Sequence, residues 1–337
     1  MPRKNRIVVA ALAAATAASV LSACGSASDA GVSSSAKNVV YLSPVGSQPG
    51  QQDILWAMTK AAKSLGWGVS VIDANLSPDK QVAGVDTAIS QGRNAIASWS
   101  LDPGAVAAAY QRAGAANIPV VGVNSKGGPG VNANVVWENS VCVKGGQADR
   151  IADYYAKLRP GGTVANITGP PSPSSIASEK CLDAALKAKG LKIAAETANT
   201  ADSSDAASRI IADVLTAHPG IDIINCYNDA TALGASSAVL AAGGKVASGT
   251  GSEGTVVVGS NADKTALDAI KDNRLTATWD PNNIATGYAI VHQMQLLMDG
   301  KKANDIVIPA LLIDASNVQQ QSDARSRDYT LTNFPGL

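Results

Sequence analysis

Short apolar runs return at regular intervals along this chain, separated by segments of helical period. In the first half they are NVVYLS from Asn38, GVSVID from Gly68, NAIASW from Asn94, IPVVGVN from Ile118 and ANVVW from Ala133. In the second half they are GTVANIT from Gly162, LKIAAET from Leu191, IDIINCY from Ile221, GTVVVG from Gly254 and LTATW from Leu275. Each is rich in Val or Ile without strict alternation, which predicts strands buried on both faces. Between them, Ile54, Leu55, Met58, Ala61, Ala62 and Leu65 fall on one helical stripe, as do Val106, Tyr110 and Ala113. Gly66 and Gly190 stand where helices should stop. Pro78, Pro103 and Pro281 stand where helices should start, behind Ser77, Asp102 and Asp280 as N-caps. Strand–helix alternation implies parallel sheets with right-handed crossovers. Two sets of strands imply two doubly wound, Rossmann-like α/β lobes in tandem.

In open α/β sheets ligands bind beyond the C-terminal strand ends. Those ends carry Ser43, Asp73, Trp99, Asn124 and Trp137 in the first half, and Asn228, Asn261, Trp279 and Asp280 in the second. Neutral hydrogen-bonding side chains beside flat indoles suit a neutral polyhydroxylated ligand: hydroxyls take the amides and C–H faces stack on the rings. Taken singly, the Asn and Asp residues read equally well as turn formers and caps. The strand ends carry no Arg, Lys or His, so an anion finds no counter-charge there, whereas a cation would meet Asp102, Asp229 and Asp280.

The first residues change the compartment. Arg3, Lys4 and Arg6 precede an apolar, alanine-rich run from Ile7 to Val20, then Leu21-Ser22-Ala23-Cys24. This is a secretory signal, too short for a membrane span. Leu, two small residues and Cys resemble the lipobox of bacterial lipoproteins, which implies lipidation at Cys24 and cleavage before it. Residues 1–23 are thus expected to be the signal peptide and 24–36 a flexible linker. The expected location is extracytoplasmic, lipid-anchored on the outer face of the cytoplasmic membrane, with the lipid as the sole membrane contact. Loss of the three basic residues leaves 24 basic against 27 acidic residues, and no basic cluster that would bind nucleic acid.

Three further cysteines remain in an oxidising compartment. Cys226 lies in an apolar strand run. Cys142 and Cys181 lie in polar contexts and are the better pair for a disulfide. No CxxC and no neighbouring His support a metal site, and no cofactor fingerprint is present. Gly127-Gly128-Pro129-Gly130 and Gly161-Gly162 lack the Lys-Ser/Thr of a phosphate loop and read as turns. His218 and His292 stand near no nucleophile in the sequence. The loop Gly169 to Ser174 follows a strand and is either a connector or a wall of the pocket.

ANIPVVGVN (Ala116 to Asn124), VLTAHPGIDIINCYNDATALGA (Val214 to Ala235), and VVVGSN with RLTATWDP (Val256 to Pro281) resemble the bacterial periplasmic sugar-binding proteins of the ribose-binding type. The resemblance runs from about Asn38 to Val318. It implies the type I periplasmic-binding fold with a three-crossover hinge, closure on a ligand, and delivery to ABC permease subunits. It matches Asn228 to a ligand-binding Asn and puts Asp229 at the next helix start. Asn124 and Asn261 stand where ribose binders carry Asp, and Ser125 and Ser178 where they carry Arg. Trp99 replaces an Asn. The segment bearing two stacking Phe is here Gln48-Pro49-Gly50-Gln51. Loss of the charged groups removes the charge-assisted bonds that hold an aldopyranose, so ribose is disfavoured against another sugar, a sugar alcohol or a small polar molecule.

The expected organisation is an N-terminal lobe of 37–137 plus 282–302, a C-terminal lobe of 138–281 plus 303–318, and a tail of 319–337. The chain should cross between lobes near Trp137-Glu138, near Pro281-Asn282 and after Gly300. The expected function is that of a monomeric, non-enzymatic solute-binding lipoprotein for ABC import. A ligand-sensing module docking on a membrane kinase or chemoreceptor is the alternative. An extracellular enzyme is a further one, without a motif to support it.

Overall fold

The computed structural model describes residues 36–124, 128–248, 253–321 and 323–337. Cys24, the expected signal and linker up to residue 35, and Ser125 lie outside the described residues.

The first half builds β1 (Asn38–Ser43), α1 (Pro49–Ser64), β2 (Gly68–Asp73), α2 (Pro78–Ser90), β3 (Ala95–Ser98), α3 (Pro103–Ala115), β4 (Val120–Val123) and β5 (Ala133–Trp137). The second builds α4 (Gln147–Leu158), β6 (Thr163–Thr168), α5 (Pro173–Ala188), β7 (Lys192–Ala198), α6 (Ser204–Ala217), β8 (Ile223–Cys226), α7 (Asp229–Ala241), β9 (Val256–Ser260), α8 (Lys264–Lys271) and β10 (Ala277–Asp280). Helix α9 (Asn283–Met298), β11 (Ile306–Ile308) and β12 (Leu311–Asp314) follow.

The first sheet runs β11-β5-β4-β3-β1-β2 and the second β12-β10-β9-β8-β6-β7. All pairings are parallel except β10 with β12. The central strands are buried on both faces, which is why their sequences run apolar without alternation. Each sheet repeats the order in which β1 and β3, or β6 and β8, become neighbours and helices leave to opposite sides. Such a reversal of winding opens a crevice at the strand C-termini.

The ten expected strands are present, and β11 and β12 are additional. Residues 306–308 pair with β5 in the first sheet, not with the second lobe to which 303–318 was assigned. The third crossing therefore falls between β11 and β12, later than the sequence suggested. The tail adds a fourth: Val318 packs in the second lobe, whereas Tyr329, Leu331 and Phe334 pack in the first, beside α1 and α9. Gly287 permits this α1–α9 layer, since a Cβ there would meet Ala57 Cβ at 2.5 Å and Ile54 O at 2.6 Å.

Caps follow chemistry. Ser77 Oγ accepts from Lys80 N, and Asp102 Oδ1 from Gly104 N and Ala105 N. Helix α9 differs from expectation: it begins after Asn282, not Asp280. Asn282 adopts φ 61°, tolerable for Asn, and its Oδ1 accepts from Ala285 N. Cys142 and Cys181 are joined in a disulfide, and Cys226 is free and buried, its thiol pushed up by burial.

Candidate ligand-binding cleft

Both switch points open into one cavity of about 490 Å³ between the sheets. The first lobe supplies Pro44 and Val45 after β1, the start of α1, and Trp99 after β3; the second supplies the loop after β6 and Asn228 after β8. The Pro170–Ser174 loop is thus a wall of the cavity as well as a connector. Its Ser172 makes a capping box with Ser175, which starts α5 and holds the loop in place. Gly169 leaves room for the Tyr227 ring, which a Cβ would meet at 2.5 Å.

The lobes touch across the mouth. Gln48 Nε2 donates to Asp202 Oδ2, and Trp99 Nε1 donates to Ser174 Oγ at 3.3 Å. Asn228 serves two partners: its Oδ1 caps Thr231 N at 2.9 Å and its Nδ2 donates to Asp202 Oδ1 at 2.8 Å. Asp202 itself takes a left-handed backbone, φ 51°. Burial raises its carboxyl pKa, and the bonds from Asn228 and Gln48 work against that rise. Gln51 is held by Tyr41 OH, which donates to its Oε1 at 2.5 Å.

Trp99 and Trp137 meet edge to face, ring centroids 4.9 Å apart at 89°. Trp137 Nε1 donates to Thr286 Oγ1 at 3.1 Å. With both indole N–H groups used, these residues offer ring surface. Trp279 differs: the Arg150 guanidinium lies 5.7 Å from its ring centroid, and its buried Nε1 has no partner.

Of the side chains singled out in the sequence, Gln48, Gln51, Trp99, Trp137, Ser178, Asn228, Asn261 and Trp279 line the cavity. Four others are engaged elsewhere. Asp102 is spent on its helix cap. Asn124 sits at φ 47° and its Oδ1 accepts from Trp137 N at 2.5 Å, so it shapes a turn beside the cleft. Asp229 is fully buried; its Oδ1 accepts from Thr278 Oγ1 at 2.6 Å and its Oδ2 from Asp263 N at 2.8 Å. Asp280 is ion-paired with Arg327 of the tail, which also donates to Asn282 Oδ1 at 2.9 Å. Arg327 is the basic group the strand ends lacked in sequence.

Sequence reasoning missed Asp202, Gln147, Glu179, Asn166 and Asn225, all of which line the cavity. Asn166 and Asn225 left a signal, because Asn is unusual inside strand runs such as VANIT and IINCY. Glu179 carries a carboxyl pKa raised by burial, then by Glu196 and Asp183. No Lys, Arg or His appears among the described residues lining the cavity. No group of His, Cys, Asp and Glu among them is arranged to hold a metal ion.

Two tandem lobes of this winding, with a cleft where both sheets reverse, define a type I periplasmic binding protein, and residues 39–302 match the periplasmic binding protein domain family. The chain belongs to that family. It is 27% identical over 257 residues to the ribose import binding protein of Bacillus subtilis strain 168, covering 76% of this chain and 79% of that protein. It is 26% identical over 338 residues to the fructose import binding protein of Bifidobacterium longum, covering 95% and 98%. In three dimensions it is similar to the Caulobacter myo-inositol binding protein bound to myo-inositol, with TM-score 0.75, 27% identity, and coverage of 86% of this chain and 97% of that one.

Proposed function

We propose that this protein is the extracytoplasmic solute-binding component of an ABC importer and captures a neutral polyhydroxylated ligand, a sugar or sugar alcohol, between its lobes. One observation carries the reading: a cavity set at the switch points of both sheets is walled by amides, hydroxyls and indoles among apolar side chains, and the charged groups among its described lining residues are the carboxylates of Glu179 and Asp202. Asn228 and Asn261 on the second lobe, and Gln48 and Gln51 on the first, serve hydroxyls. Trp99 and Trp137 cover C–H faces. Two carboxylates, with no cation among the described lining residues, disfavour anionic ligands. Contact with both lobes gives the ligand the differential affinity for the closed state that closure requires. Relatives named for ribose and fructose import, and a structural neighbour holding myo-inositol, support this class of ligand. They also support a binding role over an enzymatic one.

A thermal-shift screen of pentoses, hexoses, polyols and anionic metabolites, followed by calorimetry, tests the reading. A ligand at 100 times its Kd adds about 2.7 kcal/mol of stability. Tight binding of a phosphorylated or carboxylated compound with no response to any sugar or polyol would overturn it. We further propose lipidation at Cys24. Cys24→Ala should release the protein from the membrane fraction, and a wild-type protein already soluble would refute the anchor.

A further inference from the structure

Two arginines hold the segments where the chain passes from lobe to lobe. Arg150 of α4 donates through Nη1 to Glu138 Oε1 at 2.8 Å, and through Nη2 to Glu138 Oε2 at 2.9 Å and the Ala310 carbonyl at 3.0 Å. Glu138 Oε2 also accepts from Ala310 N at 3.2 Å. The first crossing, at Glu138, and the third, at Ala310, are thereby tied to each other. The second crossing has a different keeper. Asp280 ends β10 in the second lobe, and Asn282 starts α9 in the first. Arg327 of the tail grips both: its Nη2 donates to Asp280 Oδ2, and its Nη1 donates to Asn282 Oδ1 at 2.9 Å. Asn282 Nδ2 donates in turn to Tyr329 OH at 3.2 Å.

The tail is seated on the first lobe. Arg325 Nε donates to Asp53 Oδ1 of α1 at 2.8 Å, the Leu331 carbonyl lies 3.0 Å from His292 Nδ1 of α9, and Phe334 is buried in the first-lobe core. Asn282 holds φ 61° and ψ 60°, a left-handed conformation at the joint itself. Hinge residues are the few that absorb the change in φ and ψ when lobes rotate. A rotation about 280–282 moves the Asp280 carboxylate relative to Asn282 Oδ1, and one planar guanidinium cannot follow both. The arrangement in which both bonds form is also the one in which Gln48 meets Asp202 and Trp99 meets Ser174 across the cleft mouth.

We propose that the tail is a strap on the hinge: Arg327 and Tyr329 hold the Asp280–Asn282 crossing in the geometry that brings the lobes together, and so raise ligand affinity from outside the cleft. Neither residue is among the described residues lining the cavity. When the binding-competent arrangement is only a fraction of the population, apparent affinity falls by that fraction. The strap raises the fraction. It is a property of the hinge beyond the reading of the cleft, and only its effect on affinity rests on that reading.

Spin labels at Ala83→Cys on α2 and Ala212→Cys on α6, both exposed, report the distance between the lobes of the full chain by double electron–electron resonance. Cys226 is buried and escapes labelling. Arg327→Met with Asp280→Asn removes the clasp without leaving a lone buried charge. It should broaden the distance distribution and displace it from that of wild type, with the midpoint of urea unfolding little changed. Tyr329→Phe removes one hydroxyl and should shift the distribution the same way by less; it decides the matter if the double variant does not fold. Folded variants with the wild-type distribution overturn the strap and leave the tail as a cover for the first-lobe core. Calorimetry with D-ribose, D-fructose and myo-inositol reads the second effect. Whichever binds wild type should bind the double variant about threefold or more weakly. Unchanged affinity beside a shifted distribution overturns the role in binding. If none of the three binds wild type, the cleft reading loses support, while the distance measurement still judges the strap.

Discussion

Gln48 of the first lobe donates its amide to Asp202 of the second, a direct hydrogen bond between the two walls of the cleft. Asp202 is in turn bound by Asn228, which caps α7. The bond between the walls is thus linked to the helix that starts at the cleft.

Asp202→Ala should loosen the closed state. In ligand-free protein, small-angle scattering should report a larger radius of gyration than wild type. The affinity of a confirmed ligand should fall about three- to tenfold, because closure would then cost part of the binding energy. An unchanged radius and affinity would mean that the contact does not influence closure.

Arg327→Ala should destabilise the fold. Asp280 has a 3% exposed side chain, and its partner Arg327 is 17% exposed. Removing one member of a buried pair leaves an uncompensated charge, which costs about 3–5 kcal/mol. Urea denaturation measures the loss. Arg327→Met combined with Asp280→Asn should recover most of it, since the charge is then gone from both sides.

Reduction of the Cys142–Cys181 bond should lower stability by roughly 3–4 kcal/mol in the chain-entropy model, given a sequence separation of 39. Cys142→Ser with Cys181→Ser should reproduce that loss without reductant. Cys226→Ala, at a free buried thiol, should leave the response to reductant intact. Non-reducing peptide mapping supplies an independent check.

Asp263 gives the pH dependence a definite sign. Burial, with Asp53 nearby, raises its carboxyl pKa from 3.8 to about 6. Between these values the folded state holds the proton more tightly than the unfolded chain, so stability rises as pH falls through about 6 and the gain is complete below 3.8. Asp263→Asn should therefore stabilise the protein at pH 7.5, by on the order of 1–3 kcal/mol, and remove part of the gain seen in wild type on going to pH 5. Urea titrations at both pH values decide it. A variant with the same pH response as wild type would show that Asp263 does not carry it.

Local patterning determined much of this protein. Apolar runs rich in Val and Ile marked ten strands, because a strand buried on both faces needs no polar alternation. Ser77 and Asp102 marked helix starts, because a short polar side chain satisfies an orphan N–H wherever a helix begins. Strand ends at Trp99, Trp137, Asn228, Asn261 and Trp279 were legible as cleft residues, since the winding of an α/β sheet dictates where its crevice opens.

Only the tertiary structure decided how those residues are used. Asp280 read as a helix cap or a ligand group, and Arg327, far along the chain, neutralises it instead. Asn124 and Asp229 turned out to be committed to backbone and buried partners. Strand β11 joined the first sheet rather than the second lobe because a three-residue strand carries too little pattern to name its neighbour. Gln147 and Asn166 became cleft residues once folding brought α4 and β6 to one cavity. A sequence records the local period that builds each element. Which charges pair, and which polar groups stay open for a ligand, is set by contacts between elements that no local period encodes.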